Sequence, residues 1–370
     1  MSERRSPRCL DERDLGHLVA LASLPGLTPK RLWSLLDLGD PVEAWRRVAE
    51  GELPSAGRTG DPAPGWPAHA AAIEPASMLA RHREAGIDVL VHGETDYPQR
   101  LLDDPEPPAV LFVAGRGSPL DRAAVAVVGT RRCTRYGREV ALELGTALAS
   151  RGIDVVSGLA RGVDAAAHAG ARRSAIECCV GVVAGGLDLV YPRSNRELWH
   201  AIADGGRLIS EWPLGSPSVP WRFPARNRLV AALSVAVVVV ESSERGGSMY
   251  TVDEAVARDR PVFGVPGSIR SPASHGTNRL IVDGAVPLTS IPVFVDTLAP
   301  AVLPASRAAV VAEPDHPESW LLALLGWEPM TVEAVVTESG RSPSDTLLEV
   351  ERQIRDGRVQ RSGVRLERIR

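Results

Sequence analysis

The chain has 370 residues, enough for two or three domains at roughly 100–200 residues each, and its 44% hydrophobic content can fill a core. With 42 basic and 46 acidic side chains the net charge is −4, which gives neither a global basic field for nucleic acid nor the charge excess of a disordered chain. The 34 glycines and 30 prolines fall short of a low-complexity composition, and only one basic residue, Lys30, is a lysine; the others are arginines, which keep their charge, fork onto phosphates and stack on bases.

The first residues, MSERRSPRCLDERD, carry no apolar stretch after their arginines and do not read as a signal peptide. The longest apolar run, near Val235 to Val240, is far below the roughly 18 residues that span a bilayer. Cys9, Cys133, Cys178 and Cys179 have no metal-ligand spacing and form no disulfide framework. A reduced, cytoplasmic protein with no membrane segment, metal or cofactor is expected.

Residues 11–50 read as helices, with Leu32, Trp33, Leu35 and Leu36 at helical spacing, and the Pro- and Gly-rich stretch 54–67 reads as a linker. Residues 72–95 read as a helix leading into the strand IDVLVHG. From about 96 to 290, β-branched runs at 124–129, 153–158, 178–185, 207–211, 235–241 and 261–267 alternate with helical stretches. Apolar runs joined by helical crossovers form a parallel sheet covered on both faces. The stretch 298–317 reads as a second linker, and 318–370 as three helices and a short hairpin, the order of a winged helix. The expected architecture is therefore α/β: a central Rossmann-like, doubly wound, mostly parallel sheet at 71–297, an N-terminal helical domain with its linker at 1–70, and a C-terminal winged-helix-like domain.

Ligands of open α/β sheets bind beyond the carboxyl ends of the strands. Those ends carry Gly129-Thr130-Arg131-Arg132, Ser157-Gly158-Leu159-Ala160-Arg161, Ala184-Gly185-Gly186, Gly246-Gly247-Ser248 and Pro266-Gly267-Ser268. Tight turns need glycine, but five such loops on one edge, two with arginine, point to backbone N–H groups and guanidinium groups facing phosphate. The GxGxxG and GxxxxGK[ST] patterns are absent, and Ser157 stands where a dinucleotide binder has an acid, so NAD and P-loop chemistry are excluded. RRCTRYGR (131–138) and WRFPARNR (221–228) interleave arginines with aromatics, the logic of single-strand binding. His168 reads as a structural histidine four residues after Asp164, and no catalytic triad order appears, so no catalytic residue is assigned.

Eight motifs occur in order: VAVVGTRRCTRYG, VVSGLARGVDAAAH, GGLDLVYPRSN, LISEWPLG, FPARNRLVAALS, GGSMYTVDEA, VFGVPG and GTNRLIVDGA. Together they resemble the DNA-processing DprA (Smf) family over about 96–290. The resemblance implies a non-enzymatic, dimeric protein that binds incoming single-stranded DNA and helps load the RecA recombinase in transformation or recombination. It implies DNA contacts at Arg131, Ser157, Gly158, Arg161, Phe223, Arg226, Asn227 and Arg228, and the strand-end loops add Gly129, Arg132, Gly247 and Ser248 as expected contacts. Two alternatives on the same fold stay open. Gly246-Gly247-Ser248 with Thr251 and Glu254 loosely resembles the PGGxGTxxE loop of LOG-type nucleoside-phosphate hydrolases, with Glu254 or Glu211 as the acid or base. The other is a nucleotide-sensing module without turnover.

Overall fold

The computed structural model describes residues 10–52, 65–302, 319–325, 329–356, 358–362 and 365–368. It comprises two compact units, Met1–Pro304 and Ala305–Arg370. Cys9, most of the 54–67 linker and most of the 298–317 linker lie outside the described residues.

The first unit opens with α1 (Glu12–Ala22), α2 (Pro29–Leu36), α3 (Pro41–Glu50), α4 (Trp66–Ala71) and α5 (Pro75–Glu84). Asp11, Thr28 and Asp40 cap the first three by accepting the backbone N–H of Asp14, Arg31 and Glu43, and proline takes the first position of α2 and α3. Trp66, expected in the linker, instead starts α4, buries its ring and donates from Nε1 to the Pro25 carbonyl at 2.9 Å. Leu18, Leu21, Leu32, Trp45 and Trp66 share one continuous apolar core with Val110 and Phe112 of the sheet. The N-terminal helices and the sheet thus fall in one compact unit.

The sheet unit continues with β1 (Ile87–Val91), α6 (Gln99–Leu102), β2 (Val110–Ala114), β3 (Ala124–Val128), α7 (Arg135–Ser150), β4 (Asp154–Ser157), α8 (Val163–Ser174) and β5 (Cys179–Val182). It ends with α9 (Arg196–Gly205), β6 (Arg207–Ser210), α10 (Arg222–Ala232), β7 (Ala236–Val239), α11 (Met249–Val256), β8 (Val262–Gly264), α12 (His275–Val282), β9 (Val286–Pro287) and α13 (Ile291–Val302). The nine strands run in the order β1-β2-β6-β5-β4-β3-β7-β8-β9. Pairing is parallel from β6 to β9 and antiparallel at β1–β2 and β2–β6. All six central strands read from the sequence are present; β2 and β9 are additional. Residues 298–302, read as linker, continue α13. Because β4 to β6 lie on one side of β3 and β7 to β9 on the other, the strand order reverses at β3, which opens a crevice at the carboxyl edge.

The second unit contains α14 (Trp320–Leu325), β10 (Met330–Thr331), α15 (Val332–Ser339), α16 (Pro343–Arg355), β11 (Val359–Ser362) and β12 (Arg365–Arg368). The strands pair antiparallel in the order β10-β12-β11. Leu321, Leu325, Val335, Val350 and Leu366 form its own small core. Among the described residues its elements run helix, strand, helix, helix and a closing hairpin.

Candidate nucleic-acid interface

A cavity of about 310 Å³ lies beyond the carboxyl ends of β3, β4 and β5. Arg131, Gly158, Arg161, Tyr191, Phe223 and Arg226 line it, with Val183, Ala184, Ser194 and Ser218 filling its sides.

Arg226 forms the floor. Its side chain is buried, and Nη1 donates to the Val182 carbonyl oxygen. Nε is buried without a hydrogen-bond partner, and the guanidinium makes no ion pair among the described residues. Burial pushes its pKa down to about 10, with Asp164 opposing and Arg131 adding to the shift, so the group stays charged at neutral pH. Asp164, in the first turn of α8, accepts the N–H groups of Gly158 at 3.1 Å and Ala160 at 3.3 Å, and so folds the loop after β4 around itself. Burial raises its pKa, while Arg226 and the two backbone N–H groups hold it down. A Cβ on Gly158 would fall 2.4 Å from both terminal nitrogens of Arg226, so a side chain there would have to displace the guanidinium. Leu159 beside it is buried at φ 54°, a left-handed conformation that costs a non-glycine residue energy. The Asn195 amide fixes that turn by donating to the Leu159 carbonyl at 2.9 Å.

The upper wall is aromatic. The Phe223 ring lies 5.4 Å from the Tyr191 ring at 51°, and the Arg131 guanidinium lies over Phe223, 5.5 Å from its centroid. Arg131 and Arg161 are exposed at the rim and make no ion pair among the described residues. The cavity therefore presents two solvated cations, one buried cation and two stackable rings.

The other residues singled out from the sequence lie elsewhere. Gly129 allows a close approach: a Cβ there would meet the Glu241 carbonyl oxygen and a Val163 methyl at 2.7 Å. Arg132 is exposed but does not line the cavity. Ser157 is fully buried and donates across the sheet to the Val127 carbonyl at 2.7 Å. Asn227 reaches the Gly247 carbonyl at 3.5 Å, and Gly247 is exposed on that loop. Ser248 is buried and donates to the Ser242 hydroxyl at 2.8 Å. Arg228 is buried in an ion pair with Glu211. Ser157, Ser248 and Arg228 thus spend their polar groups inside the protein.

The carboxylates considered for hydrolysis are also engaged. Glu211 pairs with Arg228 and Glu254 with Arg258, and Glu241, just past β7, accepts the N–H and hydroxyl of Thr134, the cap of α7, at 2.8 and 2.6 Å. His168 is buried, both ring nitrogens lack a hydrogen-bond partner, and burial pushes its pKa down to about 4. Burial raises the thiols of Cys178 and Cys179 to about 11 and 12, which keeps them protonated and inert. No cluster of His, Cys, Asp or Glu able to hold a metal occurs among the described residues.

Reading each strand end missed Tyr191, Ser194 and Ser218, because these stand on long loops. Tyr191 and Ser194 sit in GGLDLVYPRSN, a motif whose presence was the available signal.

Fold and cavity define an α/β protein with an arginine-lined cavity at the switch point of a mostly parallel sheet. The family model described as DNA recombination-mediator protein A matches residues 88–299, and the chain belongs to that family. It is 39% identical over 209 residues to the DNA processing protein DprA of Bacillus subtilis, covering 56% of this chain and 70% of that one. DNA processing protein A from Streptococcus pneumoniae superposes with a TM-score of 0.64 at 29% identity, over 78% of this chain and 98% of that one. A Helicobacter pylori DNA processing protein A, whose structure addresses its single-stranded DNA binding mode, superposes at 0.54 with 31% identity over 59% and 97% of the two chains. Among the described residues no helix is long and apolar enough to cross a membrane.

Proposed function

We propose that this protein binds single-stranded DNA in the cavity at the carboxyl edge, without turnover, and passes it to the RecA recombinase. The observation that carries the reading is the Arg226 guanidinium: a buried charge that lines a solvent-open cavity, makes no ion pair among the described residues and is offset only in part by the Asp164 carboxylate. Such a charge is costly to bury unless an anion joins it. Arg131 and Arg161 add charge at the rim, and Tyr191 and Phe223 offer faces to an unstacked base. A base still stacked in a duplex cannot enter a space of about 310 Å³, so single strands are favoured. The single-stranded DNA bound by the Helicobacter pylori relative supports the ligand class. Recombinase loading, a homodimer and a cytoplasmic site of action rest on membership of a recombination-mediator family.

The LOG-type hydrolase reading lacks its acid and base: Glu211 and Glu254 are held by Arg228 and Arg258, and no carboxylate lines the cavity among the described residues. The test is fluorescence anisotropy of a labelled oligo-dT across a salt series, with duplex DNA and a mononucleotide as competitors. Tight, salt-dependent binding that both displace poorly supports the proposal. Displacement by the mononucleotide at equal concentration would replace it with nucleotide sensing, and no binding at low salt would overturn it.

A further inference from the structure

Two buried arginines of α10 stand two residues apart, which turns them about 200° around the helix. Arg226 therefore floors the cavity, while Arg228 points away from it. Arg228 is ion-paired with Glu211, just past β6, and donates from Nη1 to the Glu106 carbonyl oxygen at 2.7 Å. Both side chains of that pair are 5% exposed. The Glu106 carboxylate in turn pairs with Lys30 of α2 at 2.7 Å. The second Glu211 oxygen, Oε2, is buried with no hydrogen-bond partner. A narrow crevice reaches Glu211 between the N-terminal helices and the sheet; Leu27, Thr28 and Leu32 line one side, Val110 and Trp212 the other. Trp212 also supports α10 directly, with the Arg222 guanidinium 5.1 Å from its ring centroid.

We propose that the N-terminal helices act as a clamp on the binding helix. They seal the Glu211–Arg228 pair from water, and the sealed pair holds α10 with Phe223 and Arg226 in register for the cavity. The attraction between two charges grows as water is excluded, so a pair at this seam is strong only while the seam is closed. No residue of α1 to α5 lines the cavity, so an effect of these helices on it has to pass through α10. Arg228 and Glu211 are positioning residues. The inference rests on the single-strand reading for its affinity readout, but not for its mechanics.

The experiment uses the full chain with Leu32→Ala, which opens the seam, Arg228→Lys, which loses the fork, and Arg131→Ala as a contact control. Oligo-dT affinity is measured across a salt series, and hydrogen exchange of the α10 amides is followed in parallel. Leu32→Ala and Arg228→Lys are expected to weaken binding by about five- to fiftyfold, within the usual range of site-to-site coupling. The dependence of log affinity on log salt stays at the wild-type value, and α10 exchanges faster. Arg131→Ala instead flattens the salt dependence. A flattened dependence in Arg228→Lys would make Arg228 a phosphate contact and overturn the proposal. Unchanged affinity and unchanged α10 exchange in Leu32→Ala would do the same. If Arg228→Lys does not fold, Glu211→Gln and Leu32→Val serve with the same readouts. A wild-type chain that fails to bind oligo-dT overturns the single-strand reading alone, and α10 exchange in Leu32→Ala then decides the clamp.

Discussion

Gly158 and Arg226 occupy adjoining space so closely that a single methyl on the glycine would lie 2.4 Å from both terminal nitrogens of the guanidinium. Gly158→Ala must therefore push Arg226 off the Val182 carbonyl or shift the loop after β4. We expect a stability loss of about 1–3 kcal/mol, the usual cost of overpacking, and a marked loss of oligo-dT affinity. If the loss runs through Arg226, Gly158→Ala adds little to Arg226→Gln, a non-additivity that a double-mutant cycle measures. Additive losses would show that the two residues act separately.

Arg131 and Arg132 are neighbours with different surroundings. Arg131 lines the cavity and lies on Phe223, whereas Arg132 is exposed and outside it. Arg131→Ala should reduce the slope of log affinity against log salt by about 0.7 for each phosphate released on a single strand. Arg132→Ala should change it less. Equal effects in anisotropy titrations would place the strand along the outer surface rather than in the cavity.

The ring pair of Tyr191 and Phe223 makes a separate prediction. Phe223→Leu keeps apolar bulk but removes the π-face, and a stacked base contributes about 1–3 kcal/mol. Because Arg131 rests on the same ring, Phe223→Leu also frees the arginine, and the double variant with Arg131→Ala should lose less than the sum. Full binding with an unchanged melting temperature in Phe223→Leu would remove the stacking role.

The central strands were legible because each is buried on both faces, so Val125 to Val128 and Val237 to Val240 read as uninterrupted apolar runs. β2 has an equally buried run, but it pairs antiparallel with β1 and β6, and only the one-turn α6 separates it from β1, so no crossover helix announces it. Arg131, Gly158, Arg161, Phe223 and Arg226 were legible because they directly follow strands or share one helical face. Ser157 and Arg228 do not line the cavity because direction alternates: the last residue of β4 turns its hydroxyl into the sheet layer, and Arg228 lies two positions from Arg226 and so faces away. Tyr191 could not be placed, since its loop is steered by tertiary bonds such as Asn195 to Leu159 and Gly215 to Asp188.

Asp154 and His168 pull stability in opposite directions with pH. Burial pushes the Asp154 carboxyl up to about 7 from an ordinary 3.8, with Arg122 opposing. It is neutral in the fold and ionised in the unfolded chain across that interval, so its contribution is complete below pH 3.8 and is lost as pH rises through 7. Burial pushes His168 down to about 4 from 6.5. Its neutral form is favoured in the fold, so its contribution is complete above pH 6.5 and is lost as pH falls towards 4. Each slope is at most about 1.4 kcal/mol per pH unit, and between the two limits they offset. Asp154→Asn should leave the His168 slope, so stability rises from about pH 4.5 to about pH 6.5 more steeply than in the wild type. His168→Leu should leave the Asp154 slope, so stability falls over the same range. Urea midpoints at three pH values measure both, and every other titrating group cancels in the comparison with the wild type. An Asp154→Asn profile parallel to the wild type would mean that Asp154 is already ionised in the folded protein and that Arg122 outweighs its burial.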